Sequence, residues 1–160
     1  MYNQAPKGAA RTTMAHTFTQ HHMHVVFSTK RRRKLIVKQI QERLWKYLTG
    51  ICRNIDPIPV AVGGIEDHVH LLFQLPPSCA LGDAVRLTKT NSSKWMNEHG
   101  KQFAWQEGYG AFAVSASKLN AVVRYIHNQE KHHRKMSFEE EYLELLERHG
   151  IEFDPRFVFD

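Results

Sequence analysis

Two short patterns hold the residues whose types and spacing could do chemistry: His68-Val69-His70, and Tyr125 followed four positions later by Gln129. In an extended strand successive side chains point to opposite faces, so His68 and His70 share one face and Val69, Leu71 and Phe73 the other. The two histidine Cβ atoms would then stand roughly 7 Å apart, close enough to share one ion. The same pair also reads as surface histidines on a polar sheet face. Imidazole suits several metals, so the pattern does not choose among them.

The second pattern lies in a segment with helical periodicity. Leu119, Val122, Val123 and Ile126 form an apolar stripe. Tyr125 and Gln129, four apart, fall beside that stripe on a shared face, and His132 continues the line. A neutral tyrosine, with a pKa about 10, is a poor nucleophile at neutral pH. A divalent cation beside a phosphodiester would relieve this by withdrawing charge from the phosphoryl oxygens. Two imidazole nitrogens and one Gln carbonyl oxygen would hold such an ion and leave positions open for phosphate and water. That mixed set suits Mg2+ or Mn2+, manganese being the better match to imidazole.

The elements that must position these residues follow from periodicity. Residues 17–28 alternate as a strand, and residues 38–54 place Ile40, Leu44, Tyr47, Leu48 and Ile51 on one helical face. Asp56-Pro57 ends that helix. Residues 58–65 and 68–75 read as a hairpin turning at Glu66-Asp67, with Gly63-Gly64 weakening the first strand. A second helix runs over 80–98 and a short strand over 111–115. Ser117 is the expected N-cap of a third helix reaching His133. Residues 138–149 read as a fourth helix, ended by Gly150. The order β-α-β-β-α-β-α is the split-βαβ arrangement. It predicts an α+β, ferredoxin-like (RRM-like) antiparallel sheet with helices on one face, plus a catalytic helix and a C-terminal tail helix.

Charge adds a partner class. The 160 residues carry a formal +6, but unevenly. Residues 138–160 hold eight acids and two bases, so the preceding 137 residues carry +12. A body this basic attracts polyanions, nucleic acid first among them. Two isolated cysteines exclude a disulfide framework and suit a reducing cytoplasm. The sequence has no long apolar run to span a membrane, and the polar first 15 residues read as a flexible tail without a secretory signal.

These motifs together resemble the single-tyrosine HUH transposases of small bacterial insertion sequences (IS200-like), including their relatives that act on repetitive extragenic palindromes. Gly63 to Leu72 resembles the HUH motif, Tyr125-Ile126-His127-Asn128-Gln129 the catalytic helix, and His24 to Lys30 the first strand. Ser92-Ser93-Lys94-Trp95 fits the second helix. The resemblance covers residues 16–135, flanked by the tail 1–15 and an acidic helical extension over 136–160. It implies Tyr125 as nucleophile, with His68, His70 and Gln129 as metal ligands. The implied reaction cuts single-stranded DNA through a 5′-phosphotyrosine and reseals it with a 3′-OH. The implied substrate is hairpin-bearing single-stranded DNA, the implied assembly a homodimer, and the implied setting the bacterial cytoplasm. The tails exceed the family's minimal pattern.

Other residues fit a DNA surface. Lys30, Arg31, Arg32 and Arg33 form a basic loop that could contact phosphates, and Arg86, Lys89 and Lys94 are spaced along a helix. Both sets read equally as solvated surface. Trp105 and Tyr109 could stack on bases, and Tyr109 is a rival nucleophile. A non-catalytic single-strand-binding module on the same sheet remains a competing reading. A replication or conjugation nickase of the HUH type is a third, which the short chain disfavours.

Overall fold

Alternation along the first strand sets the architecture. The computed structural model describes residues 18–100 and 102–159. The expected flexible tail, residues 1–15, lies outside them. Strand β1 (His21–Ser28) starts later than the sequence pattern implied, because Phe18 stands 93% exposed with nothing to pack on. There follow α1 (Lys38–Asn54), β2 (Ile58–Gly64), β3 (His68–Leu75), α2 (Leu81–Glu98) and β4 (Gly110–Val114). The chain ends in α3 (Leu119–His127), the single turn α4 (Gln129–His132) and α5 (Phe138–Arg148). The four strands pair antiparallel in the order β2-β3-β1-β4. This is the α+β, ferredoxin-like sheet read from the sequence.

The period-two pattern divides the sheet. Val25 and Phe27 of β1 and Val69, Leu71 and Phe73 of β3 pack against Leu44, Leu48 and Ile51 of α1 and Val85 and Met96 of α2. Each such side chain, fully buried, contributes ~1.5–3 kcal/mol of apolar transfer, so this side holds the main core. The other face presents His22, His24 and Val26 from β1, and His68, His70 and Leu72 from β3. The βαββαβ unit alone leaves that face bare. Here Ile126 of α3 packs on Ala61 and Leu72, while Phe138, Tyr142 and Leu146 of α5 pack on Val26 and Phe112. Both histidines of the pair end fully buried.

Two helix boundaries differ from the sequence reading. Ser117 is not an N-cap: residues Ala116–Lys118 form a 3-10 turn, Ser117 Oγ meets Ser115 Oγ at 3.1 Å, and α3 starts at Leu119. The expected continuous helix to His133 also breaks at Asn128 (φ −100, ψ 19). Asparagine competes locally with helical hydrogen bonding, and the buried side chain of Gln129 is bonded to the sheet. By contrast α5 closes as its sequence implies, with Gly150 in the left-handed region (φ 63). Its start carries a full capping box between Ser137 and Glu140.

One glycine sets the height of α3 over the sheet. A Cβ on Gly63 would lie 2.4 Å from the backbone oxygen of Ile126. Only a bare Cα lets the tyrosine-bearing helix sit this low. Gly63→Ala is therefore expected to destabilise the fold by about 1–3 kcal/mol through overpacking. It should also lift α3 from β3, which thermal unfolding and the NMR shifts of the His68 and His70 rings would both report.

Candidate metal centre and tyrosine site

The histidines are held from outside and converge inside. His68 Nδ1 lies 2.7 Å from Asp67 Oδ1, and His133 Nδ1 lies 2.8 Å from the Met136 carbonyl oxygen. His70 Nδ1 lies 2.8 Å from His24 Nε2. With each Nδ1–H donated outward, the three Nε2 lone pairs face inward. They meet oxygens there. Gln129 Oε1 is 3.0 Å from His68 Nε2 and 2.9 Å from His133 Nε2. Glu141 Oε1 is 2.8 Å from His70 Nε2, and Glu141 Oε2 contacts His133 and lies 3.4 Å from His132 Nε2.

Acceptors facing acceptors need positive charge between them. His70 Nε2, His132 Nε2 and Glu141 Oε2 are buried without a hydrogen-bond partner, although His70 and Glu141 lie at ion-pair distance. Donor atoms of His68, His70, His133 and Glu141 all lie within 4.8 Å of one another. Three imidazoles and a carboxylate at such spacing fit a divalent ion. Burial pushes His70 down to about 4, aided by the charges of neighbouring histidines and opposed by Glu141. It is thus neutral at pH 7, as a ligand must be. Burial works against ionising Glu141, but hydrogen bonds from His133 and His70 hold it far below the usual carboxylate range. The Glu141 carboxylate in turn raises His133 against the effect of burial.

Tyr125 joins the same carboxylate. Its Oη donates to Glu141 Oε1 at 2.5 Å. Its ring stands edge-on to His70, centroids 5.7 Å apart, and to His132 at 5.2 Å. Burial first, and then the Glu141 charge, push the phenol well above its ordinary range. The hydroxyl is therefore neutral here, and a cation beside Glu141 would work in the opposite direction.

The structure brings His68, His70, Tyr125 and Gln129 together. Sequence reasoning missed His24, His133 and Glu141. The signal for Glu141 was present: in α5 it sits between Phe138 and Tyr142 on the apolar stripe completed by Leu145 and Leu146. A lone carboxylate inside a core stripe needs a partner. His133 lies four residues beyond Gln129, so it shares that face, and it is more enclosed than His132.

A family model described as "Transposase IS200 like" matches residues 17–129. The chain belongs to the IS200-like transposase family. Among solved structures it is similar to a candidate transposase from Deinococcus radiodurans R1. The identity is 24%, the TM-score 0.58, and the match covers 71% of this chain and 94% of that one. It is also similar to a REP-associated tyrosine transposase bound to a REP hairpin. Here the identity is 18%, the TM-score 0.56, and the shares covered are 73% and 71%. No curated protein matches the chain. Among its described residues no helix is long and apolar enough to cross a membrane.

In this IS200-like transposase the basic residues separate by role. Arg32 is engaged with the tail: Nε lies 2.5 Å from Glu139 Oε1, Nη1 donates to the Phe159 carbonyl oxygen, and the guanidinium lies 5.0 Å from the Phe159 ring centroid. Lys30, Arg31 and Arg33 stay exposed around a hollow of about 430 Å3, with Arg31 (φ 57) and Arg32 (φ 53) both left-handed. Lys89 donates to the carbonyl oxygens of Gln106, Glu107 and Gly108, so it pins a loop and has no hydrogen free for phosphate. Arg86 pairs with Asp83 at 3.3 Å. Lys94 is exposed, and with Arg86 it lies on α2, across the sheet from the histidines. Trp105 is an anchor, not a platform: it is buried edge-on to Phe27 and donates to Ser92 Oγ at 2.9 Å. Tyr109 borders a hollow lined by α2 residues, including Gly82 and Arg86, and takes no part in the histidine cluster.

Proposed function

We propose that this transposase-family protein nicks and rejoins single-stranded DNA with Tyr125 as the nucleophile. The observation that carries this is one buried carboxylate, Glu141, shared between the Tyr125 hydroxyl and three imidazoles. His68, His70 and Gln129 are proposed as metal-binding residues, with His133 and Glu141 completing the donor set. A divalent ion, Mg2+ or Mn2+, would supply Lewis-acid polarisation of the phosphoryl oxygens.

In the first step the Tyr125 oxygen bonds to phosphorus and the 3′-oxygen leaves with the bonding pair. The phenolic proton, held toward Glu141 Oε1 beforehand, is released to solvent, and the 3′-oxygen takes a proton from solvent to become a hydroxyl. The product is a 5′-phosphotyrosine. In the second step a 3′-OH attacks that phosphorus and gives its proton to solvent, and the tyrosine oxygen leaves and recovers a proton from solvent. The phosphodiester energy is kept, so no nucleotide cofactor is consumed. The basic body and the hairpin held by the REP-associated relative support a hairpin-bearing single strand as substrate. We read residues 16–135 as the body of the catalytic domain, completed here by Glu141 of α5, and the working form as a homodimer, in a bacterial cytoplasm.

The test is a denaturation-stable adduct. The protein is mixed with a fluorescent pool of hairpin-bearing single strands with random flanks, with and without Mn2+. A labelled band surviving denaturation, dependent on the metal, is the expected result. Chelator-insensitive binding with no adduct would instead favour a non-catalytic single-strand-binding module.

A further inference from the structure

Tyr125 borders two cavities, one largely apolar and charge-balanced, the other basic. One, about 810 Å3, opens between β4, α3 and α5, with Phe112, Val122 and Leu145 among its walls. Tyr125, His132 and Glu141 of the histidine cluster also line it. The other, about 420 Å3, shares Tyr125 and His132 with the first and is flanked by Lys131 and Lys135. Both lysines are exposed, and neither has an ion-pair partner among the described residues.

We propose that these cavities are two stations on one single-strand path crossing the nucleophile. The base of the nucleotide beside the scissile phosphate enters the larger cavity, and the adjoining backbone runs along Lys131 and Lys135. The proposal rests on the nicking reading and adds where the strand lies.

Chemistry assigns the stations. The larger cavity is within the ~300–1,000 Å3 range of small-molecule sites and is walled mainly by apolar side chains. Its carboxylates, Glu141 and Glu144, are matched by Lys118 and Arg148 on the same walls, so it carries no excess positive charge for a phosphate backbone, while the carboxylates can accept hydrogen bonds from exocyclic amino groups of bases. Glu144 is itself paired with Arg148. The His149 ring lies on Phe112, centroids 4.5 Å apart, giving an aromatic surface at the same wall. An unpaired base gains most from such a surface. The smaller cavity offers the reverse: two free ammonium groups and no carboxylate, which suits a phosphodiester backbone. Tyr125 is common to both, so a strand spanning the two cavities passes its side chain.

The experiment uses a random single-stranded pool carrying 4-thiothymidine, irradiated in chelator so that binding is read without chemistry. Cross-links should map to peptides of β4, α3 and α5 that line the larger cavity. Ala121→Trp fills that cavity from an exposed position on α3. With circular dichroism unchanged, it should cut both cross-links there and Mn2+-dependent adduct roughly tenfold, the size of a lost base-stacking contact. Lys131→Ala/Lys135→Ala should lower the slope of log affinity against log salt by about 1.4. Cross-links confined to the α1 and α2 side of the sheet, or an adduct yield indifferent to Ala121→Trp, would overturn the path. Cross-links in the cavity without any adduct in Mn2+ would retain the path and remove the nicking reading.

Discussion

Tyr125→Phe is expected to abolish the denaturation-stable adduct, a loss of at least ~10³-fold, while leaving strand binding within about twofold of wild type. The magnitude follows from the chemistry, since no phosphotyrosine forms without the hydroxyl. The substitution keeps the ring, so its edge-on contacts with His70 and His132 persist. It removes one donor to Glu141, whose Oε1 still faces His70 Nε2. The stability cost is accordingly that of a hydrogen bond to a charged group, about 1.5–3 kcal/mol, which calorimetry can separate from the chemical loss. An adduct that persists in the variant would sink the assignment. Peptide mapping would then show whether Tyr109 or another residue had attacked.

Much of this arrangement was legible, because strands write their faces into the sequence with period two. His68 and His70 had to share a face once Val69, Leu71 and Phe73 were read as core, and the structure places them so. Tyr125 and Gln129 had to flank the stripe ending at Ile126 for the same kind of reason. What stayed hidden depends on contacts between segments far apart in the chain. Asn128 weakens the helix locally, but a break at that point also answers to the bond between Gln129 and a histidine of the sheet, which no local pattern announces. Read by charge, residues 138–160 are an acidic tail, and the sum conceals that one of the eight acids faces inward. Averaging over a segment loses the position on which the site turns. Lys89 misled in the opposite way, since helical spacing cannot reveal three loop carbonyls waiting at its end.

Glu141→Gln tests whether that inward acid belongs to the metal centre. Mn2+ should raise the melting temperature of the wild-type protein, because an ion bound only by the folded state stabilises it by mass action. In Glu141→Gln the affinity is expected to fall at least ~10–100-fold, the scale of losing an outer partner of a metal ligand. The thermal gain at a fixed, limiting Mn2+ concentration should shrink with it. Adduct formation should fall in the same proportion at limiting metal and recover in part at saturation, since Tyr125 and the histidines remain. The amide is nearly isosteric. Its oxygen can still accept from Tyr125 Oη and its NH2 can donate to His133 Nε2, so the metal-free fold is held. The lost charge is the selective change. A carboxylate that is not a ligand predicts something else. If Glu141 serves only to hold the Tyr125 hydroxyl away from substrate, its removal leaves metal affinity unchanged and raises the adduct yield. Those two measurements therefore move together under one role and apart under the other, and the carboxylate shared by tyrosine and histidines is assigned by which occurs.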